Sequence, residues 1–295
     1  MKTCHFVMFL TIVMLSALPS QTAQAQNQND SQPMGPERPL ETLDADEDLK
    51  EMKRIRRRKA WRTNLYALGG ITAYGIAKWE YGQRKFNFAS EGWFEEDTSE
   101  GGADKLGHFY TTYGLSHLFA WRYRAWGYTD AEANLYGTLS SLGFQTFMEF
   151  GDGFSSFGAS SQDMMANLAG AGAGYLLGKK PELARKFSIR MEYVPDFSGS
   201  FDVLTDYGNQ KYLLAIKADG FNFVSNPLLK YLELQVGYYA RGYEEFNPRF
   251  EDTRSRTLFF GIGINVSKIL QRKYKTRVLD YVQLPYTAVR SKHKL

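Results

Sequence analysis

Four stretches of the chain, 63–77, 109–121, 133–148 and 164–178, contain no Asp, Glu, Lys or Arg. Each is too long for a strand and carries Gly, Ala, Ser, Thr and Tyr where a surface helix would place charges. The pattern predicts four helices between about residues 50 and 178. From about residue 187 the period changes to two. In "KFSIRMEYV", Phe187, Ile189, Met191 and Tyr193 alternate with Ser188, Arg190 and Glu192. "KYLLAIKA", "YLELQVGYYARGY" and "RTLFFGIGINV" behave alike, with Gly237, Gly261 and Gly263 opposite the large side chains. The expected fold class is therefore α+β: an N-terminal four-helix unit with Gly/Ala-rich uncharged helices, then a C-terminal antiparallel sheet of four to five strands. Too few strands are present for a membrane barrel of about eight, so the sheet is expected to be covered by the helices.

The ends complete the organisation. Lys2, the apolar run 6–18 and the small-x-small site Ala23-Gln24-Ala25 read as a signal peptide over 1–25; an uncleaved anchor is the competing reading of that segment. Residues 26–48 read as a disordered polar leader, 49–180 as the helical domain, 186–270 as the antiparallel region and 271–295 as a basic tail without a clear period. The single cysteine, Cys4, precedes the apolar run. It cannot accept a lipid there, and the mature chain has neither disulfide nor thiol chemistry.

The formal charge of +4 is too mild to suggest nucleic acid. It is uneven, however: "KRIRRRKAWR" follows an acidic segment, as in proteins that meet anionic headgroups. Each uncharged helix is shorter than the ~20 residues needed to cross a bilayer. A compact bundle and a set of interfacial helices both fit. Ala166, Gly170, Gly174 and Gly178 recur every four residues on one face and suit close helix contact in either case. Trp61 and Trp79 flank the first stretch, and Trp121 and Trp126 follow the second, all beside Lys or Arg, which favours a membrane interface.

Candidate chemistry gathers at the helix ends. Asp104 and His108 are spaced i, i+4, as are Asp163 and Asn167, and Lys105 lies between the first pair. His117 is out of phase with His108. Asn134, Thr138, Ser141, Gln145 and Glu149 form one stripe, uncharged until Glu149, that suits an internal polar seam. Glu149 and Asp152 fall at a helix C-terminus, where the dipole disfavours acids. Lys105, protonated His108 or a divalent cation would compensate them. Ser155 and Ser156 lack a G-x-S-x-G elbow, so a serine hydrolase is disfavoured. No metal identity or cofactor follows: one histidine is little support for zinc, and the acids match no Mg²⁺ or Ca²⁺ loop spacing. The simpler reading makes Asp104 a helix-start charge and gives Asp163 a cap from Ser160.

"ADKLGHF", "EFGDGFSSFGASSQDMMANLAGAGAG", "LTDYGNQKYLLAI", "KYLELQVGYYARGY" and "RTLFFGIGINVSKI" together resemble the YfiM-like family of predicted periplasmic or outer-membrane-associated lipoproteins of unknown function. The helical part is also similar to VanZ-like membrane proteins, which share a D-K-x-x-H-F start and a D-x-x-x-N-x-x-G end. The resemblance implies an envelope location and picks out Asp104, Lys105, His108, Glu149, Asp152, Gly153, Ser155, Asp163, Asn167 and Gly170. It implies no activity. The mature chain departs from the lipoprotein pattern in lacking an acceptor cysteine.

These readings converge on an exported protein at the periplasm or outer membrane. Its expected partner is an outer-membrane lipid or lipopolysaccharide surface, and its role a non-enzymatic structural or binding one. Asp104, Lys105, Ser155, Asp163 and Asn167 form the polar cluster, with Gly153, Gly170 and Gly174 as structural glycines. The rival expectation is an enzyme acting on a lipid or glycan headgroup, with His108, Glu149 and Asp152 as acid, base or metal ligands.

Overall fold

The structure is a computed structural model that describes residues 45–195, 204–243, 252–272, 274 and 276–295. The expected signal peptide and most of the expected polar leader lie outside the described residues. The chain divides into Met1–Gly70 and Ile71–Leu295. In the first unit, α1 (Ala45–Lys78) begins within the expected leader. Its basic turns and Trp61 are exposed.

In the second unit, α2 (Ala103–Ala125), α3 (Asp130–Asp152) and α4 (Ser161–Lys179) pack on one another pairwise. Local sequence sets their starts. Gly102 takes φ +79 before α2, a left-handed conformation that suits glycine. Thr129 and Glu132 form a capping box on α3. Ser160 accepts the Asp163 N–H at the start of α4, as its position predicted. The glycine stripe meets neighbouring elements closely. A Cβ on Gly170 would stand 2.2 Å from the Phe109 carbonyl oxygen, and one on Gly174 2.8 Å from Ser116 Cβ.

The bundle interior carries a polar seam beside Phe119, Tyr123 and Phe144. Asn134, Thr138, Ser141, Gln145 and Glu149 are all buried, so the α3 stripe is the internal seam that its missing charges suggested. Ser116 and Ser141 hydroxyls both donate to the Thr112 carbonyl, at 2.8 and 2.7 Å. Asn167 Oδ1 accepts from Thr112 and Gln145. The outer faces of α3 and α4 are apolar and exposed, at Leu135, Leu139, Phe150, Met165, Leu168 and Leu176.

The sheet is antiparallel in the order β3 (Phe187–Tyr193), β4 (Gln210–Lys217), β5 (Leu232–Arg241), β6 (Ser255–Ile264) and β7 (Ala288–Lys294). The first four are the strands read from the alternation; β7 lies in the basic tail. The sheet buries its polar face. Arg190 donates to both Glu233 oxygens, at 2.8 and 2.9 Å, and to Gln283. Glu192 pairs with Lys211 and Arg290, each at 2.7 Å. Buried charge is tolerated because every member of this network has an opposite partner. The segment 281–294 bonds both edges, β3 through Tyr281 and Gln283, and β6 through β7. The sheet therefore curls around the network.

The helices cover only one end of the opposite, apolar face, where Tyr110 packs on Tyr212 and the Tyr238 hydroxyl donates to the Gly101 carbonyl. Beyond that end Leu234, Phe260, Ile262, Ile264 and Val289 are exposed. The expected helical cover is thus partial.

Candidate functional site

The site forms where three helix ends meet. The start of α2 supplies Asp104, Lys105 and His108; the end of α3 supplies Glu149 and Asp152; the start of α4 supplies Asp163 and Asn167. A two-residue parallel pairing, β1 (Phe88–Ala89) with β2 (Ala159–Ser160), holds the loop that follows β1 beside α4 and adds Glu91. That loop has no periodic pattern, so Glu91 was not legible in the sequence.

Lys105 is buried among three acids. Its ammonium donates to Glu91 and, at 2.6 Å, to Asp104, and stands 2.8 Å from Asp163 Oδ1. Burial opposes its charge, but Asp104 and Asp163 hold its pKa above the ordinary lysine value. Burial raises Glu91, with Asp163 adding to the effect and Lys105 opposing it.

His108 lies on the other side of Asp163. Its Nδ1 is 3.2 Å from Glu149 Oε1, and its Nε2 is 3.9 Å from Asp163 Oδ1. Burial pulls the imidazole down to about 4 against the attraction of Asp104, so it is neutral near pH 7. Glu149 Oε2 accepts the Ser160 N–H at 3.4 Å. Burial, then the charges of Asp163 and Asp152, push Glu149 up to about 9. Asp152 is pushed up to about 7, chiefly by burial and against the Tyr81 hydroxyl that bonds it.

Of the three ways to compensate Glu149 and Asp152, Lys105 is already engaged by Glu91, Asp104 and Asp163, and burial disfavours a protonated His108; the same burial favours a protonated Glu149. One ligand atom each from His108, Glu149 and Asp163 lies within 4.8 Å of the others, a set that could hold a metal ion.

Other expected residues are placed differently. The Ser155 hydroxyl donates to the Asp152 carbonyl and accepts the Phe157 N–H, so it braces its own turn. A Cβ on Gly153 would meet the Phe86 ring. His117 faces away from His108, between the Gly174 carbonyl and the Tyr281 hydroxyl. Trp79 is buried against Tyr74 and Tyr81, which corrects its reading as an interfacial anchor; Trp121 is exposed. Tyr81 was not singled out from the sequence, although Gly75 and Gly151 leave room for its ring.

Residues 90–179 match the family described as predicted periplasmic lipoprotein (DUF2279). The match spans Glu91 and all three helices that build the site, and the sheet lies outside it. It supports a protein of the cell envelope. No curated protein and no solved structure matches the chain.

Proposed function

We propose that this chain is a periplasmic envelope protein seated on the outer membrane, with a structural or binding role. The observation that carries this reading is the inverted distribution of polarity in the second unit. The helices enclose Asn134, Thr138, Ser141, Gln145 and Asn167 and turn Leu139 and Leu168 outward. The sheet encloses Arg190, Glu192 and Glu233 and turns Leu234, Phe260 and Ile262 outward. Large exposed apolar surfaces mark contact with a membrane or partner, and here exposed apolar residues stand on both the helices and the sheet. Lipid acyl chains fit them because they demand only apolar contact. Among the described residues no helix is long and apolar enough to cross a membrane, so the fit is to one leaflet. Burial of Lys105, Glu149 and Asp163 favours a cluster that locks the helices over one that turns over substrate.

The test is fractionation of the full chain from a Gram-negative host. The protein should sediment with outer membranes and resist a carbonate wash, and its mature form should start at Gln26 without an acyl group by intact mass. Recovery wholly in the soluble periplasm, or an acylated N-terminus as the sole attachment, would refute the reading.

A further inference from the structure

Two acid sets share Asp163, and only one of them contains a cation. In the first, the Lys105 ammonium fills the space among Glu91, Asp104 and Asp163. In the second, His108 Nδ1 and Glu149 Oε1 face each other at 3.2 Å, and neither has a hydrogen-bond partner among the described residues. Asp163 Oδ1 completes that set. It is ion-paired to Lys105 but off the line of a hydrogen bond. Glu149 and Asp163 are each 4 % exposed, and the His108 side chain 10 %. Buried polar atoms are nearly always satisfied. An ion bound between the two atoms would satisfy both at once.

The donor chemistry names the candidate. One imidazole and two carboxylates suit a first-row divalent ion. Bonds of about 2.0–2.2 Å put the ligand atoms of a tetrahedral ion about 3.3–3.6 Å apart. His108 Nδ1 and Glu149 Oε1 already stand at 3.2 Å, and one ligand atom from each of the three residues lies within 4.8 Å of the others, so a shift of about an ångström in the Asp163 side chain closes the site. We propose that His108, Glu149 and Asp163 bind a divalent first-row transition-metal ion, which ties the starts of α2 and α4 to the end of α3. Lys105 is a positioning residue that holds Asp163 from the opposite side.

The experiment uses the full chain in mild detergent, stripped with chelator and dialysed separately against Zn²⁺, Mn²⁺ or Co²⁺. About one equivalent of at least one ion per chain is expected by elemental analysis, with a chelator-reversible rise in Tm. The Co²⁺ form should show d–d absorption. His108→Gln and Glu149→Gln should each weaken uptake by at least about tenfold. Asp104→Asn, which removes a partner of Lys105 and none of the three ligands, should keep the ion. Circular dichroism checks the fold of each variant. Negligible uptake of all three ions by the wild type overturns the proposal, and would leave a shared proton as what separates His108 from Glu149. Undiminished uptake by both ligand variants overturns it as well. Where a variant does not fold, wild-type stoichiometry and the reversible Tm shift decide. Binding of the same samples to vesicles reports on the membrane reading separately and is not expected to follow chelation.

Discussion

At the scale of single residues, Glu149 and His117 show what burial does to a titratable group here. Glu149 Oε2 accepts the Ser160 N–H at the start of α4. In chelator, where no ion contributes, Glu149→Gln keeps an acceptor for that N–H, whereas Glu149→Ala leaves it unsatisfied. Alanine should therefore be the less stable variant by ~1–3 kcal/mol in denaturant unfolding. His117 contacts the Tyr281 hydroxyl, the Tyr113 ring and the Gly174 carbonyl, and burial, with the charge of Arg124, lowers its pKa. The sign follows from linkage: below pH ~6.5 the unfolded chain takes up a proton that the folded chain takes up only at lower pH. Stability should therefore fall as pH drops below that value, and His117→Gln should shed part of the acid loss. Monitoring Tm from pH 7.5 downward on both proteins checks this. Most site residues were legible because helical spacing placed Asp104 with His108 and Asp163 with Asn167. Glu91 and Tyr81 were not, because their places depend on the β1–β2 pairing and on space left by Gly75 and Gly151.

At the scale of elements, glycines one turn apart or less differ in what surrounds them. Gly170 stands against the Phe109 carbonyl, while Gly172 faces open space on the exposed side of α4. Gly170→Ala should destabilise by ~1–3 kcal/mol through overpacking. Gly172→Ala should stabilise by up to ~1 kcal/mol, because alanine loses less backbone entropy in a helix. Opposite shifts in unfolding midpoint would establish which face of α4 is packed; equal shifts would contradict the close contact. In the sheet, Arg190→Met leaves Glu233 buried without its cation and should cost ~3–5 kcal/mol. Adding Glu233→Leu should recover much of that loss in a double-mutant cycle, since it removes the orphaned charge. The four alternating strands were readable in the sequence, but not that their polar side faces inward. Alternation assigns residues to two faces without saying which is buried; the Arg190–Glu233 and Glu192–Arg290 pairs decide that. Strand β7 was hidden because "AVRSKHK" places little apolar weight on either side and is held by pairing to the edge of β6.

At the scale of the whole molecule, the uncharged helices and the alternating strands share one pattern: polar groups enclosed beside a small apolar core, with further large apolar groups turned outward. The helix stretches made this visible in the sequence through their missing charges. In the sheet it emerged only with the curl that segment 281–294 imposes. If both outer surfaces meet the same lipid, each should contribute to partitioning, and charge placed on either should weaken it without touching the fold, because the altered side chains are at least half exposed. Leu168→Glu on α4 and Ile262→Glu on β6 are suitable probes, at 61 % and 57 % exposure. Removing one such side chain from an apolar phase costs on the order of 1.5–3 kcal/mol, so each substitution should lower vesicle partitioning by about one to two orders of magnitude. The two losses should add in free energy, since distant and independent contacts do. Flotation with phospholipid vesicles, alongside Tm measurement, separates lost binding from lost folding. A drop for Ile262→Glu alone would assign the membrane contact to the sheet. A drop for neither, with both variants folded, would show that the apolar faces are buried against protein partners and not against lipid.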